Sequence, residues 1–332
     1  MIHVSSEFRE QMEVRTDFKE QAEVTFLDGT KLSLTEDDFT VSNNSITDGA
    51  GSNGLPLGAA IQRQVQIELM NDDDHLEKYD FVGAQIRLYM TFWLPKTKEL
   101  KERIEKIECG YFTVTKPETY GQTVIVAAVD DMYRADKAFY SDLIFPVSAS
   151  ELFIEMCEHC GIQPGNTLFR NNDFTIKEKP SGSDLTFRAV FGYLAMLAAG
   201  NARISRQGTL EILSYDFSVL DQEGVHIQEL RNFNSLKIGT EDVVITGIRM
   251  KVKGKTAEEQ TFLCGKEGYL IEVENPLVAG QEQQLVDSIG QRLIGVHLRD
   301  FSGDHIAYPL AEFMDLVYVE DRKGRKYQSI LT

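Results

Sequence analysis

The sequence predicts an α+β fold that is mainly β. Three observations carry this. Val82, Ala84, Ile86, Leu88, Met90, Phe92 and Leu94 are apolar at every second position, the period of a strand with one covered face. Hairpin signatures recur towards both ends, from "AEVTFLDGTKLSL" to the closing "VYVEDRKGRKYQSILT". Between them the pattern turns helical, first at 149–160 and again in "SGSDLTFRAVFGYLAMLAAGN". The 332 residues exceed one ordinary core. The expected division is a first β domain over 1–143 and an α+β insertion over 144–215. A second β domain then begins over 216–276, is interrupted at 277–306 by a small helical insertion, and is closed by a hairpin over 307–332.

Taken in order, "AEVTFLDGTKLSL" is a hairpin whose Asp-Gly supplies the turn. Residues 43–57 form a polar, glycine-rich loop. Ile61, Val65, Ile67 and Leu69 mark the next strand. The run from Val82 to Leu94 follows, about 40 Å of extended chain at the usual rise. That length suits a barrel wall or a projecting arm. "GYFTVTKPETYGQTVIVAAVD" adds a hairpin.

In the middle zone Ser148 and Glu151 make a capping box, and Gly161 stands where a helix over 149–160 should stop. A strand is expected at 173–178. The next helix takes Ser183 as its cap and Gly200 as its end, with Gly192, Ala195 and Ala199 as a small-residue stripe for close packing. "ARISRQGTLEILSY" is a hairpin. Beyond 216, "DVVITGIRMKVKG" and "QTFLCGKEGYLIEV" read as strands, and "GQEQQLVDSIGQRLIGV" as a helix burying Leu285, Val286, Ile289 and Leu293. In the last sixteen residues, 316–320 and 326–331 are strands joined by a turn over 321–324. The outer edge of 326–331 needs a cover.

Composition excludes several functions. With 52 acidic and 34 basic residues the formal charge is −18, and phosphate binders are usually basic on one face. The most basic stretch, Lys96–Lys106, is interleaved with Glu99, Glu102 and Glu105, as in a solvated helix or loop. No stable nucleic-acid binding is expected. The start "MIHVSSEFREQME" carries no secretory signal. The longest apolar run, Ala189–Ala199, is too short for a membrane span. Synthesis in a cytoplasm is the expectation.

The chemistry-bearing residues are few and dispersed. "CEHC" at 157–160 invites a metal or redox reading with His159 as a third ligand. Yet Leu152, Phe153, Met156, Cys157 and Cys160 share one helical face, with His159 pointing away, so the cysteines read as core. No second cysteine pair or histidine pair completes a zinc set. The six histidines, His3, His75, His159, His226, His297 and His305, are scattered. No nucleophile elbow, zinc-protease or phosphate-loop motif occurs. Asp72–Asp74 and Asp130–Asp131 follow strands, where acids form turns. The expectation is therefore no enzyme: no catalytic, cofactor-binding or metal-binding residue, and no cofactor. Two other readings stay open. One is a β-rich adhesin or carbohydrate-binding module with an exposed Trp93 as platform. The other, weaker, is a cell-wall hydrolase using Asp130, Asp131 or His159.

Five stretches, in their order and spacing, resemble the tail hub proteins of bacteriophages and prophages. They are "VTFLDGTKLSLTEDDF", "LPLGAAIQRQVQIELMN", "VGAQIRLYM", "TVIVAAVDDMYRADKAFYSDLIFPVSASELFIEMCEHCGI" and "VYVEDRKGRKYQSILT". The family includes baseplate hubs and siphophage tail-associated hubs. It is related to the hub part of type VI secretion spike proteins. The resemblance implies two tube-protein-like β-barrel domains with small α+β domains inserted. It implies a homotrimer whose six barrels form a pseudo-six-fold ring. Such a ring joins a hexameric tail tube, or a distal tail protein, to a three-fold spike, tip or fibre protein. The place is the virion's tail tip or baseplate, and an acidic lumen would let DNA slide past. Strand edges, the terminal hairpin's among them, would then be paired between subunits. No lytic or receptor-binding segment follows the closing hairpin in this sequence, so a cell-wall-degrading role is not expected.

Overall fold

The computed structural model describes residues 4–12, 18–50, 54–96, 101–221, 227–253, 259–305 and 308–332. His3, His226, part of the 43–57 loop and residues 97–100 of the basic stretch lie outside these. The fold is α+β and mainly β. A short helix α1 (Ser6–Met12) precedes β1 (Phe18–Thr25), β2 (Lys31–Leu34), β3 (Ser45–Thr47), β4 (Ala60–Ile61), β5 (Gln64–Met70), β6 (Gln85–Leu94), β7 (Arg103–Tyr120) and β8 (Thr123–Val129). Seven of these strands form one sheet in the order β2-β1-β6-β7-β8-β5-β3. Among the described residues no ladder joins the ends β2 and β3, so the sheet is open. The β1–β2 turn is the Asp-Gly turn: Asp28 Oδ1 accepts from Thr30 N at 2.8 Å, and Gly29 takes φ +85°.

The alternating strand starts later than its pattern. Gly83 adopts φ +76° and Val82 is exposed, so β6 covers Gln85–Leu94 only. Ile86, Leu88, Phe92 and Leu94 are buried as the period demands. A bulge against β7 sets Leu88 opposite Gly110 and Tyr89 opposite Glu108, leaving Cys109 without an opposite residue. Ile61 does not belong to the β5 strand. It sits on β4, which pairs with a different sheet, because the ladder breaks between Ile61 and Gln64. Arg103–Lys106, expected in a solvated helix or loop, opens β7, where Lys106 faces Thr91. One face of the sheet buries Val24, Ile67, Ile86, Phe112 and Val126 under Phe26, Leu76 and Phe81. Further along, Phe8 and Met12 of α1 cover Phe92, Leu94 and Ile107, together with Leu310.

The middle unit comprises β9 (Val147–Ser148), α2 (Ala149–Cys160), β10 (Gln163–Pro164), β11 (Thr175–Ile176), α3 (Phe187–Leu197), β12 (Gly200–Ile204) and β13 (Thr209–Ser214). The strand expected at 173–178 is only the two residues of β11. Helix α2 is as the sequence specifies. Glu151 N donates to Ser148 Oγ at 3.2 Å, Ser148 N donates to Glu151 Oε2 at 2.7 Å, and Gly161 ends the helix at φ +64°. Helix α3 starts later than expected, and its cap is Thr186, not Ser183. Phe139 N donates to Leu185 O and Phe187 N to Lys137 O, so tertiary pairing holds 185–186 extended. Gly200 is no helix stop either. It opens β12, where a Cβ would lie 1.6 Å from Leu213 O. A four-stranded sheet runs β10-β13-β12-β4.

The remaining strands are β14 (Gln228–Leu230), β15 (Ser235–Ile238), β16 (Val243–Val244), β17 (Gly247–Lys253), β18 (Glu259–Gly265), β19 (Leu270–Val273), β20 (His297–Leu298), β21 (Phe301–Asp304), β22 (Leu316–Glu320) and β23 (Lys326–Ile330), with α4 (Glu282–Leu293) after β19. They form the sheets β18-β17-β19 and β14-β22-β23 and two strand pairs, β15–β21 and β16–β20. Helices α2, α3 and α4 share one large core with β12, β13, β17 and Ile330. The outer edge of β23 is met in part within its own chain. Arg299 N donates to Gln328 O at 2.9 Å, and Ser329 Oγ donates to Arg299 O at 2.7 Å. At Gln328, then, the edge expected to need another subunit is met by the same chain. No helix is long and apolar enough to cross a membrane among the described residues.

Candidate functional site

Asp130 and Asp131, two of the sequence candidates for catalysis, are given structural work. Asp130 is buried and caps a 3-10 turn, accepting from Arg63 N at 2.9 Å and Met132 N at 3.1 Å. Burial pushes its carboxyl up to about 7 against those two donors. Asp131 pairs with Arg134 at 3.0 Å. Asp73 and Asp74 lie in the turn after β5, with Asp73 against His75. Cys157 and Cys160 are buried on α2, and burial raises both thiols, Cys160 to about 11. Thiols held that far up are poor nucleophiles. His159 does turn away from them, but not to open solvent: its ring lies 4.4 Å from that of Tyr140. Among the described residues no histidine hydrogen-bonds a serine, threonine or cysteine, so no triad-type nucleophile is assembled.

What the fold does assemble is a junction. Arg206 lies in the β12–β13 turn and is 8% exposed. Its Nη1 donates to Pro309 O at 2.7 Å and to Glu108 O of β7 at 3.3 Å. Its Nη2 donates to Ala311 O at 2.9 Å. Its Nε reaches Glu312 Oε1 at 3.2 Å, and Arg203 reaches Glu312 Oε2 at 3.4 Å. Burial pushes the Glu312 carboxyl up, but Arg203 and Arg206 outweigh it and hold it below the ordinary value. One buried carboxylate and two guanidiniums thus fasten the 309–313 segment to the middle unit and to the seven-stranded sheet. No local pattern signals this, because the partners are about a hundred residues apart.

Beside the junction, between the two apolar clusters of the sheet, is a cavity of about 370 Å³. Val65, Ile67, Leu88 and Met90 give it apolar walls, and Glu20, Asp48, Arg63 and Arg206 its charges. Burial raises the Glu20 carboxyl, offset in part by Asn44. Arg63 is 5% exposed and has Asp48 as its ion partner at 3.3 Å. Outside the cavity, Trp93 is 44% exposed and opposite Ile104 in the β6–β7 ladder.

No protein-family model and no curated protein matches this sequence. Solved structures do share its fold. The 43 kDa tail protein of prophage MuSo2 from Shewanella oneidensis aligns at TM-score 0.54 and 10% identity, over 94% of this chain and 92% of that one. The tail protein of Neisseria meningitidis MC58 aligns at TM-score 0.53 and 11% identity, over 93% and 89%. A chain of the Francisella PdpA-VgrG complex aligns more weakly, at TM-score 0.44 and 9% identity, over 77% of this chain and 38% of its own length. The chain therefore shares the fold of these two tail proteins nearly end to end.

Proposed function

We propose that this chain is a structural tail hub of a phage, prophage or phage-tail-like particle. The observation that carries the reading is the fold shared with two tail proteins over about nine-tenths of each chain. In this reading each chain brings two β domains, 1–143 and 216–332, with 144–215 and 277–306 as insertions. Three chains then supply six similar positions around a channel, between a tail tube or distal tail protein above and a spike, tip or fibre protein below. The ring closes through head-to-tail contacts, since a three-fold ring needs heterologous interfaces. The open edges β2 and β3 of the seven-stranded sheet are the backbone groups with most to gain from a neighbour. The charge of −18 favours a lumen that repels phosphate. The protein would reside at the virion's tail tip and act without a cofactor.

Light scattering across a concentration series, with electron micrographs of the largest species, tests this. A trimer with a central hole is expected. A stable two-fold dimer, or a particle without a hole, would sink the proposal. Duplex DNA should not be retarded by the protein in a gel at physiological salt. The half-exposed Trp93 favours one second reading, an adhesin using that face. Glycan-array binding abolished by Trp93→Ala would decide for it.

A further inference from the structure

The loop over 140–143 folds back onto the last turns of α2, and three side chains meet there. His159 Nε2 lies 3.5 Å from Glu155 Oε1 and 3.6 Å from Asp142 Oδ2. All three atoms lie within 4.8 Å of one another. Glu155 and His159 are one helical turn apart, so α2 presents both on one face. Asp142 comes from the loop.

The histidine is not spent elsewhere. Its Nε2 is a buried nitrogen with no hydrogen-bond partner. The two carboxylates are too distant and too poorly aligned to accept from it well. The two separations from Nε2, 3.5 and 3.6 Å, do match another geometry. Ligand bonds of about 2.0–2.2 Å in a tetrahedron put neighbouring ligand atoms about 3.3–3.6 Å apart. A cation there would meet Nε2 and Oδ2, and would take Oε1 in place of its weaker hydrogen bond, the one from Leu143 N at 3.2 Å.

The surroundings resemble the outer shell such ligands require. The Tyr140 hydroxyl is 3.3 Å from Nδ1, and its ring lies against the imidazole, fixing the orientation that aims Nε2 at the carboxylates. Glu155 is held by Asp142 N at 2.6 Å and Leu143 N at 3.2 Å on Oε1, and by Ser141 Oγ at 2.5 Å on Oε2. Asp142 is 82% exposed in its side chain, which leaves a solvent-facing fourth position. The cations nearby, Lys137 and Lys179, are occupied by the carbonyls of His159 and Ser141.

We propose that His159, Glu155 and Asp142 form a binding site for a divalent transition-metal ion of the zinc type. An imidazole with two carboxylates suits zinc, whereas calcium and magnesium take all-oxygen sets of higher coordination. The bound ion would fasten the 140–143 loop to α2. Cys157 and Cys160 take no part, being turned into the core.

The test is calorimetric titration of zinc chloride into the chelator-treated full chain. The expected result is one saturable equivalent per chain, undisturbed by millimolar calcium or magnesium. Asp142→Ala, which removes an exposed side chain, should weaken binding at least about tenfold, and so should His159→Ala. The double Cys157→Ser, Cys160→Ser variant should bind as wild type. Absence of saturable binding overturns the proposal. So does binding that Asp142→Ala leaves unchanged, since zinc is then held elsewhere. If His159→Ala does not fold, Asp142→Ala decides alone.

Discussion

Arg206→Met should destabilise the protein by about 3–5 kcal/mol. The substitution keeps most of the side chain's length and removes its guanidinium. Four hydrogen bonds go with it, to the carbonyls of Glu108, Pro309 and Ala311 and to Glu312. Glu312, itself 8% exposed, loses the nearer of its two guanidinium contacts and keeps Arg203 at 3.4 Å. Breaking a buried pair from one side typically costs that much, because a charge stays behind without its full complement. Urea unfolding read by the fluorescence of Trp93 suits the purpose. It is the single tryptophan and lies on β6, between Phe92 and Leu94 of the apolar cluster that includes Leu310. Glu312→Leu should cost a comparable amount, and the double variant Arg206→Met, Glu312→Leu less than the sum, with a coupling of about 1–3 kcal/mol. The pH dependence has a definite sign. Glu312 is held below its ordinary value in the fold, so its contribution is present above the unfolded value near 4. It is lost as the pH falls further through the folded value. A loss under about 1 kcal/mol for Arg206→Met, or strict additivity in the double variant, would refute the assignment of the junction as a fastening.

Gly192→Ala on α3 should destabilise by about 1–3 kcal/mol despite the better helix propensity, because its Cβ would lie 2.3 Å from Gly58 O; Gly121→Ala, with nothing within 4 Å, should stay within about 0.5 kcal/mol in the same urea assay. Ile330→Asp should unfold the monomer or weaken it by several kcal/mol, since Ile330 is 7% exposed in the main core. A folded monomer that only fails to assemble would restore an intersubunit role for the hairpin. Asp130 binds its proton more tightly folded than unfolded, so it makes stability fall as pH rises from roughly 4 to about 7. Urea midpoints for wild type and Asp130→Asn should converge or diverge mainly inside that window, and parallel curves would count against it.

Where local chemistry decides, the sequence was a sufficient guide. The capping box at Ser148 and Glu151, the left-handed Gly161 and the apolar face of α4 are all set within one or two turns. The misreadings share a cause. Ser183 is as good a cap as Thr186 in isolation, and only the bridge between 137–139 and 185–187 moves the helix start. Val82 fits the period of two, yet Gly83 turns the backbone before the ladder begins. Ile61 follows the rhythm of β5 and pairs in another sheet. The junction was invisible for the same reason. Arg203, Arg206 and Glu312 read as surface charges in any short window, and burial comes only when chain segments far apart are brought together. His159 was legible as a candidate, but its partners were not, because Asp142 arrives from a loop of no regular pattern.

The step from β4 to β5 has a mechanical consequence. Ala60–Ile61 is laced in parallel to β12, and Gln64–Met70 is laced antiparallel to β8 and β3. Two residues, Gln62 and Arg63, are the whole covalent link from β4 to β5. Both are clamped: Gln62 takes a hydrogen bond from Arg188 of α3, and Arg63 bonds through its backbone to Asp130 on both sides. A tether that short and that tightly held has no slack to take up. A pull or twist applied to one sheet is passed on at once as shear along the ladder of the other, and the two move as one stiff body under load.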